Sequence, residues 1–229
     1  MIMRTYHFMP TEFALIAIRD QRLKVARVNE LNDPLDFYVT AFTDQSQRER
    51  CPDYLSDIAD HYGIIGFSNN FSNPALWSRY ADRHRGVALQ FDIQSEDIHL
   101  VRYSIDSCTM DRDSALTDKA IRQLLSMNFP QWQYENEARV ICRLKDCATR
   151  AYENGRLYFK SMTDRMRLVG LIRGAACDLK DHEISSQLFA EEVLTISDAA
   201  WDAQAGGIFC DNVHSVSGGR SYAPCCYKV

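Results

Sequence analysis

The sequence lacks the features that mark disordered, membrane-spanning or exported chains. Six prolines and ten glycines in 229 residues are too few for a long flexible tract. No run of about 18 apolar residues occurs, and the opening MIMRTYHFMPTEF has no unbroken apolar stretch of the kind found in signal peptides. We therefore expect a cytoplasmic protein with no membrane partner.

Several common nucleotide-binding and hydrolase motifs are also missing. The chain has no G-x-x-x-x-G-K-[ST], no G-x-G-x-x-G, no G-x-S-x-G and no H-E-x-x-H. Their absence removes support for nucleoside-triphosphate hydrolysis, a Rossmann dinucleotide site, an α/β-hydrolase and a zinc peptidase.

The eight cysteines form no C-x-x-C pair. Cys142 and Cys147 are five positions apart, and Cys225 and Cys226 are adjacent. This spacing disfavours a structural zinc site, and a reducing compartment keeps scattered thiols free. We expect mostly buried or idle thiols and no bound metal.

The chain lacks an excess of positive charge, because 31 acidic residues outnumber 26 basic ones and the net charge is −5. This balance argues against a protein that coats nucleic acid through bulk electrostatics. A local basic patch remains open, because RYADRHRG gathers Arg79, Arg83, His84 and Arg85 in one helix-like segment.

The composition that is present indicates a folded α+β protein. A hydrophobic content of 46% supports a sizeable core, and the length is compatible with one domain over 1–229. Strands are predicted at 4–8, 22–28, 63–68, 87–93, 99–105, 138–144, 156–160 and 167–174, and helices at 12–20, 53–61, 74–85, 115–127 and 181–189. The tail from 206 to 222 is predicted as loops around a short strand.

The stretch WQYENEARV, at 132–140, concentrates two carboxylates and an arginine before an apolar run. If it enters a strand, Glu135, Glu137 and Arg139 point to one side, and Arg139 relieves the repulsion of the two carboxylates. Such a pair can stabilise an oxocarbenium ion and take a proton from the attacking group. Alternatively, the stretch is helical, and Glu135 and Arg139 form a surface i,i+4 ion pair.

Other candidate ligand-binding side chains each have a structural alternative. His7, between Tyr6 and Phe8 in the first strand, could donate to a ribose hydroxyl or a carboxamide, or it could have a purely structural role. Ser68 and Ser72 could supply hydroxyls to a site or form turns. The spacing of three aromatic or imidazole side chains indicates core packing, or else stacking on a base or nicotinamide ring; these are Trp77, Tyr80 and His84.

The order of five blocks resembles the bacterial domain-of-unknown-function family 2971 over about 6–174. The blocks are LNDPLD, GIIGFS, LWSRYADRHRGVALQFD, WQYENEARV and LVGLIRGA, and 175–229 would be a C-terminal extension. The resemblance implies that twelve positions match recurrent ones of the family, namely His7, Asn32, Asp33, Pro34, Ser68, Trp77, Tyr80, Gly86, Trp132, Glu135, Glu137 and Arg139.

A further likeness is to ADP-ribosyltransferases, on His7, Ser68 and Glu135–Asn136–Glu137, in that order. It implies a mixed, mostly antiparallel split sheet flanked by helices, with NAD as substrate. The implied catalytic residues are Glu137, which would hold the nicotinamide-ribose hydroxyl, Glu135, which would activate the acceptor, and His7, which would grip a ribose. The implied NAD-binding set is His7, Tyr6, Ser68, Ser72, Trp77, Arg79, Tyr80, Arg83 and Arg139. The middle block lacks Ser-Thr-Ser, so Ser68, Ser72 and Tyr80 stay open for its role.

The resemblance further implies a nucleic-acid or protein acceptor and a toxin or antiviral-defence role with a neutralising antitoxin partner. Two other functions stay open. In a metal-dependent nuclease, Glu135 and Glu137 would join Asp92 or Asp33 around Mg²⁺. In a non-catalytic binding module, the Trp77 and Tyr80 face would carry the function.

Overall fold

The computed structural model describes residues 1–31, 55–104, 117–153, 155–202 and 207–219. It shows a mixed α+β chain with a large, mostly antiparallel sheet flanked by helices, which confirms the predicted fold class. The predicted turn around Asn32, Asp33 and Pro34 lies outside these residues.

The strands, in chain order, have the following bounds. They are β1 Ile2–Met9, β2 Arg22–Arg27, β3 Tyr62–Ser68, β4 Val87–Gln94, β5 His99–Leu100, β6 Arg102–Tyr103, β7 Met127–Asn128, β8 Glu137–Arg143, β9 Ala148–Tyr152, β10 Gly155–Ser161, β11 Met166–Arg173, β12 Val193–Asp202 and β13 Gly207–Ser217.

The helices are fewer and short. They are α1 Thr11–Asp20, α2 with 55–61 described, α3 Pro74–Tyr80, α4 Asp118–Leu125 and α5 Asp181–Ser185. Short 3-10 segments cover Val28–Glu30, Pro130–Glu135 and Leu144–Asp146. No helix among the described residues is long and apolar enough to cross a membrane.

The chain divides into two compact units. The first comprises Met1–Thr5, Leu23–Asn70 and Ile93–Arg165. Within it β3 pairs antiparallel with β8 along its whole length and with β2 at Ile64 and Gly63, and β5 pairs antiparallel with β8. Strands β9 and β10 form an antiparallel hairpin, and the short β6 and β7 run parallel.

The core of the first unit lies where α2 and α4 pack on β3 and β8. Helix α4 alternates polar and apolar positions so that Ile121, Leu124 and Leu125 fall on one buried face. The cluster consists of Val28, Ile58, Ala59, Tyr62, Ile64, Ile121, Leu124, Leu125 and Ile141. This packing fixes the face of β8 that carries the candidate site.

The second unit comprises Tyr6–Arg22, Phe71–Asp92 and Met166–Val229. In it β11 and β12 run parallel, and β12 and β13 form a long antiparallel hairpin with a bulge between Ile196 and Asp198. Its core is built around the fully buried Trp77, with Ala81, Ala88, Ile172, Ala199 and Ile208. The predicted single domain, with a family-like core over 6–174, stays a prediction.

Most predicted strands and the start of α3 are confirmed. Asn73 caps α3, because its side chain accepts from the Ala75 N–H at 2.9 Å, and Pro74 occupies the first turn. The predicted strand at 99–105 is wrong in detail, since Val101 separates the two-residue strands β5 and β6.

The predicted length of α3 is wrong, because the helix ends at Tyr80 rather than 85. Asp82, Arg83 and His84 have φ of 42°, 55° and 68°, a left-handed run that cannot continue an α-helix. Gly86 does not cap the helix. A Cβ there would lie 2.3 Å from the Met9 carbonyl oxygen, so glycine permits this close backbone approach.

Other boundaries also differ from prediction. Gly63 lies inside β3 instead of closing α2, and a Cβ on it would lie 2.5 Å from Val25 Cγ1. Helix α4 ends at Leu125 and α5 at Ser185, both shorter than predicted. The tail prediction is wrong, since β13 spans eleven residues through its pairing with β12, a strand absent from the prediction.

Candidate functional site

The site begins at the junction between a 3-10 segment and β8. Pro130 opens the segment, Glu135 is its last residue, and Asn136 takes the left-handed conformation with φ 46° and ψ 50°. Asparagine tolerates this region better than most residues, because its short side chain bonds locally. Strand β8 then starts at Glu137.

This junction corrects both interpretations of WQYENEARV. The alternation along β8 includes Glu137 and Arg139 but not Glu135, since the left-handed Asn136 interrupts it. The helical alternative is also wrong, because the helical segment ends at Glu135 before reaching Arg139. Arg139 forms an ion pair with Glu137, and this pair is mostly buried rather than on the surface.

The Glu137–Arg139 pair is bidentate and mostly buried. Arg139 Nε lies 2.7 Å from Glu137 Oε1, and Nη2 lies 2.7 Å from Oε2. The third guanidinium nitrogen, Nη1, donates to the Leu125 carbonyl oxygen at 2.9 Å. The Arg139 side chain is 2% exposed and that of Glu137 is 15% exposed. The arginine therefore holds the carboxylate in one orientation, and the carboxylate keeps a small exposed fraction.

Strands β3 and β5 supply the residues opposite this pair. Ser68 is the cross-strand partner of Glu137, Gly66 is that of Arg139, and His99 on β5 also faces Arg139. Directly opposed residues of an antiparallel pair share one face of the sheet. One face of the first unit thus collects an ion pair, a serine, a histidine and a glycine.

Ser68 connects β3 to the end of the 3-10 segment. It is 4% exposed, and its Oγ lies 2.6 Å from the Glu135 carbonyl oxygen and 2.9 Å from that of Asn70. The Asn70 N–H donates to the same Oγ at 3.1 Å. The neighbouring Asn69 N–H donates to the Asn136 carbonyl oxygen at 2.9 Å. These bonds fix Glu135 and Asn136 against β3.

Asn69 also presents an unused acceptor. Its Oδ1 is buried and has no hydrogen-bond partner. A buried amide oxygen without a donor costs about 1–3 kcal/mol, so a bound group with an N–H or O–H would gain by reaching it.

Tyr103 and His99 complete the surroundings of Glu137. The Glu137 N–H donates to Tyr103 Oη at 2.7 Å. Burial raises the pKa of Tyr103 to about 12. The hydrogen bond from Glu137 lowers this pKa, whereas the negative charges of Glu137 and Glu135 raise it. Burial, and then the charge of Arg122, lowers the pKa of His99. At neutral pH Tyr103 is therefore a protonated phenol, and a neutral His99 is favoured.

The predicted site residues fall in both units. Ser68, Glu135, Glu137 and Arg139 belong to the first unit, where the structure brings them together. The others belong to the second unit, namely Tyr6, His7, Ser72, Trp77, Arg79, Tyr80 and Arg83.

Trp77 is a core residue. Its side chain is fully buried, its indole N–H donates to the Phe71 carbonyl oxygen at 2.6 Å, and Phe8 packs edge-on against it. This confirms the core alternative and corrects the expectation that Trp77 stacks on NAD, because the ring has no accessible face.

Neighbours of Trp77 in the second unit keep partial exposure. Tyr6 lies 5.1 Å from Phe71 between ring centroids, and His7 follows it, half-buried, in β1. The Arg79 guanidinium carbon lies 5.5 Å from the centroid of the Tyr80 ring. In the predicted basic patch, Arg85 forms a bidentate pair with Asp82, which lowers the local positive charge.

Metal ligands do not cluster within the described part of the chain. Among those residues no group of three or more His, Cys, Asp or Glu side chains could hold a metal ion. Asp33, one predicted Mg²⁺ ligand of the nuclease alternative, lies outside them, and Asp92 is 3.7 Å from Arg167.

Comparison of the chain with protein-family models, curated proteins and solved structures gave no match in any of the three. The resemblances drawn from the sequence therefore stay predictions.

Several residues of this site were not singled out from the sequence. Gly66, Asn69, His99 and Tyr103 carry no motif. Gly66 and His99 face Arg139 through the pairing of β3, β5 and β8, while Tyr103 accepts from the Glu137 N–H and Asn69 donates to the Asn136 carbonyl oxygen. Strand alternation alone predicts that His99 and Tyr103 lie on the same face of one strand. It does not predict which strand pairs beside them.

Proposed function

We propose that the chain is an NAD-dependent ADP-ribosyltransferase that modifies a macromolecule, either a nucleic acid or a protein. The observation that supports it is the placement of Glu137, which Arg139 holds at the start of β8 directly opposite Ser68 on β3. The likeness to ADP-ribosyltransferases implies a serine in a central strand, followed along the chain by a glutamate that leads into a later strand. Ser68 on β3 and Glu137 on β8 have these positions.

The chemistry asked of Glu137 suits its surroundings. A carboxylate has about four acceptor positions, of which Arg139 uses two, so the remaining lone pairs can accept from a ribose hydroxyl. As nicotinamide leaves, positive charge develops on the ribose. A fixed carboxylate of low exposure stabilises that charge more than it stabilises the ground state.

The other groups take supporting roles in this proposal. Glu135, held through its carbonyl oxygen by Ser68, activates the acceptor as general base. Asn69 Oδ1 offers an acceptor for a carboxamide N–H of nicotinamide. His7, Arg79 and Arg83 belong to the second unit, and their expected roles toward NAD stay predictions. Trp77 is left out because it is buried.

The test is incubation of the purified chain with NAD labelled in its adenosine, together with separate pools of RNA, DNA and protein. We expect label transfer to one pool and equimolar release of nicotinamide. Glu137→Gln should lower both rates by about 100-fold or more, because it removes the charge that stabilises the transition state.

Glu96→Gln is the matched control. Glu96 also pairs with an arginine of the first unit, Arg165 at 3.0 Å, but it is 74% exposed. This variant should keep the wild-type rate. The proposal is overturned if no pool gains label and no nicotinamide appears, and NAD-independent, EDTA-sensitive cleavage of RNA or DNA would establish the nuclease alternative instead.

The cellular role follows from the same chemistry. Uncontrolled ADP-ribosylation in the cytoplasm would harm the host, so the proposal includes a toxin or antiviral-defence role with an antitoxin protein as partner. Induced expression should arrest bacterial growth, and Glu137→Gln should relieve the arrest at equal protein level. Arrest by Glu137→Gln equal to that by the wild type would favour the binding-module alternative.

A further inference from the structure

The hairpin of β9 and β10 in the first unit contains none of the residues proposed for NAD chemistry. All five residues of β9 are exposed, and so are Gly155, Arg156 and Ser161 of β10. Among the described strands β9 pairs only with β10, so no further strand there covers its outer edge. The side chains of this hairpin are therefore accessible to another molecule.

The hairpin and the short segment before it carry basic side chains that no carboxylate neutralises. The range 145–160 has four basic and two acidic residues, although the whole chain has a net charge of −5. Elsewhere in the first unit, Arg122 and Arg165 each pair with an aspartate, at 2.8 Å and 2.7 Å. Within the described residues no ion pair forms at the four basic positions, namely Lys145, Arg150, Arg156 and Lys160. Their positive charge is therefore available to an anionic partner.

One face of the hairpin combines two cations with an aromatic ring. Alternation along β10 places Arg156, Tyr158 and Lys160 on the same side, about 7 Å from one to the next. The β9 residues opposite the first two are small, Ala151 and Thr149, so β9 sets no large side chain beside the ring. Both acidic residues of the range lie outside the two strands. The face therefore presents a tyrosine ring between two positive charges.

This combination fits the chemistry of an unpaired nucleic-acid strand. Single strands bind where cations contact their phosphates and aromatic rings stack on their bases. An acidic protein segment or an anionic lipid surface would use the cations but leave the Tyr158 ring without a stacking partner. We propose that the face formed by Arg156, Tyr158 and Lys160 binds single-stranded RNA or DNA. The binding does not depend on NAD chemistry, and only the conclusion that the bound nucleic acid is the ADP-ribose acceptor rests on the proposed function.

The experiment measures the fluorescence anisotropy of a labelled oligonucleotide of about 12 nucleotides on addition of the full chain, without NAD. RNA and DNA single strands of one mixed sequence are compared with the corresponding DNA duplex. We expect saturable binding of at least one single strand, and at least about threefold weaker binding of the duplex, because its bases are already stacked on one another. A failure of label transfer from NAD would overturn the proposed function and leave this binding result unchanged.

Variants test the ring and the charges separately. Tyr158→Leu should weaken single-strand binding about fivefold or more, because it removes the stacking surface. Arg156→Gln changes an exposed side chain, which keeps the test usable if Tyr158→Leu does not fold. It should lower the slope of log Kd against log salt concentration by about 0.7, the value for one phosphate contact on a single strand.

Tyr152→Leu and Lys119→Gln are the matched controls. Tyr152 is 53% exposed but lies on the other face of the hairpin, opposite Gly155, and Lys119 is an exposed lysine of α4. Each control should change the Kd by less than about twofold. The proposal is overturned if neither single strand binds, if the duplex binds as tightly as the single strands, or if Tyr158→Leu binds as well as Tyr152→Leu. Binding of polyglutamate or of phosphatidylglycerol vesicles in place of the oligonucleotides would assign the face to an acidic protein segment or a lipid surface instead.

Discussion

Gly66 lies directly beside the carboxylate of Glu137. A Cβ at position 66 would be 3.3 Å from Glu137 Oε1, closer than ordinary van der Waals contact. Because position 66 of β3 has no side chain, the Glu137 carboxylate has room for the orientation that Arg139 imposes.

Gly66→Ala should displace that carboxylate with a small loss of stability, about 1 kcal/mol or less, because one oxygen has to give way by a fraction of an ångström. Under the proposed function the transferase rate should fall about tenfold or more. Gly63→Ala is the comparison. Its Cβ would meet Val25 Cγ1 at 2.5 Å and the Ala26 carbonyl oxygen at 2.8 Å, so it should cost about 2 kcal/mol or more. Equal urea midpoints for the two variants would contradict this account.

Arg139→Met should destabilise the chain by about 3–5 kcal/mol, because it leaves Glu137 and the Leu125 carbonyl oxygen without their buried donor. Arg165→Met removes an arginine that is 56% exposed, so its effect should stay within about 1 kcal/mol despite two ion pairs. Urea unfolding measures both. A loss below about 1 kcal/mol for Arg139→Met would show that the pair contributes little to stability.

Asn136→Ala should cost about 1 kcal/mol, because alanine lacks the local hydrogen bonding that helps asparagine at φ 46°. Asn136→Gly should be close to neutral, since glycine adopts positive φ without steric cost. Asn29 is exposed with ordinary φ, and Asn29→Ala should stay within about 0.5 kcal/mol. Thermal unfolding of the three variants gives the ranking, and a glycine variant weaker than the alanine variant would refute the backbone argument.

Asp118 should contribute stability that is lost in acid. It accepts from Arg122 Nε at 2.8 Å, from Tyr62 Oη at 2.7 Å and from Arg143 Nη2 at 2.9 Å, and these hydrogen bonds hold its pKa below the ordinary 3.8. The contribution is present above that unfolded-state pKa and disappears as pH falls through the lower folded-state value.

The measurement compares the free energy of unfolding at about pH 7 and about pH 3. Asp118→Asn should lose stability at the higher pH and show a smaller decrease in acid than the wild type. Asp146→Asn, at an exposed position, should follow the wild-type curve. If Asp118→Asn and the wild type lose equal stability in acid, a group other than Asp118 causes the decrease in the free energy of unfolding at low pH.

Local pattern predicted much of the secondary structure. The start of α3 was predictable because Asn73 and Pro74 act within their own helical turn. The strand β8 was predictable from the apolar run at 140–142. In both cases the chemistry that decides the element lies within a few residues along the chain.

Long-range pairing decided what local pattern missed. The β13 segment contains polar and glycine residues typical of loops, yet pairing with β12 makes it an eleven-residue strand. Glu135 has the strand-like spacing of Glu137, but the bonds of Ser68 and Asn69 to the backbone of 135 and 136 hold a turn there. The intrinsic strand or loop propensity of a residue is too weak to override several such hydrogen bonds.

The sequence by itself determined the α+β class, the order of most elements and the candidate acidic stretch, because residue spacing sets which side chains share a face of a strand or helix. Only the tertiary structure decided that Glu137 pairs with Arg139 and faces Ser68, and that Trp77 belongs to the core. These contacts depend on strand register and chain reversal, which are set by the packing of distant segments and leave no local mark in the residue order.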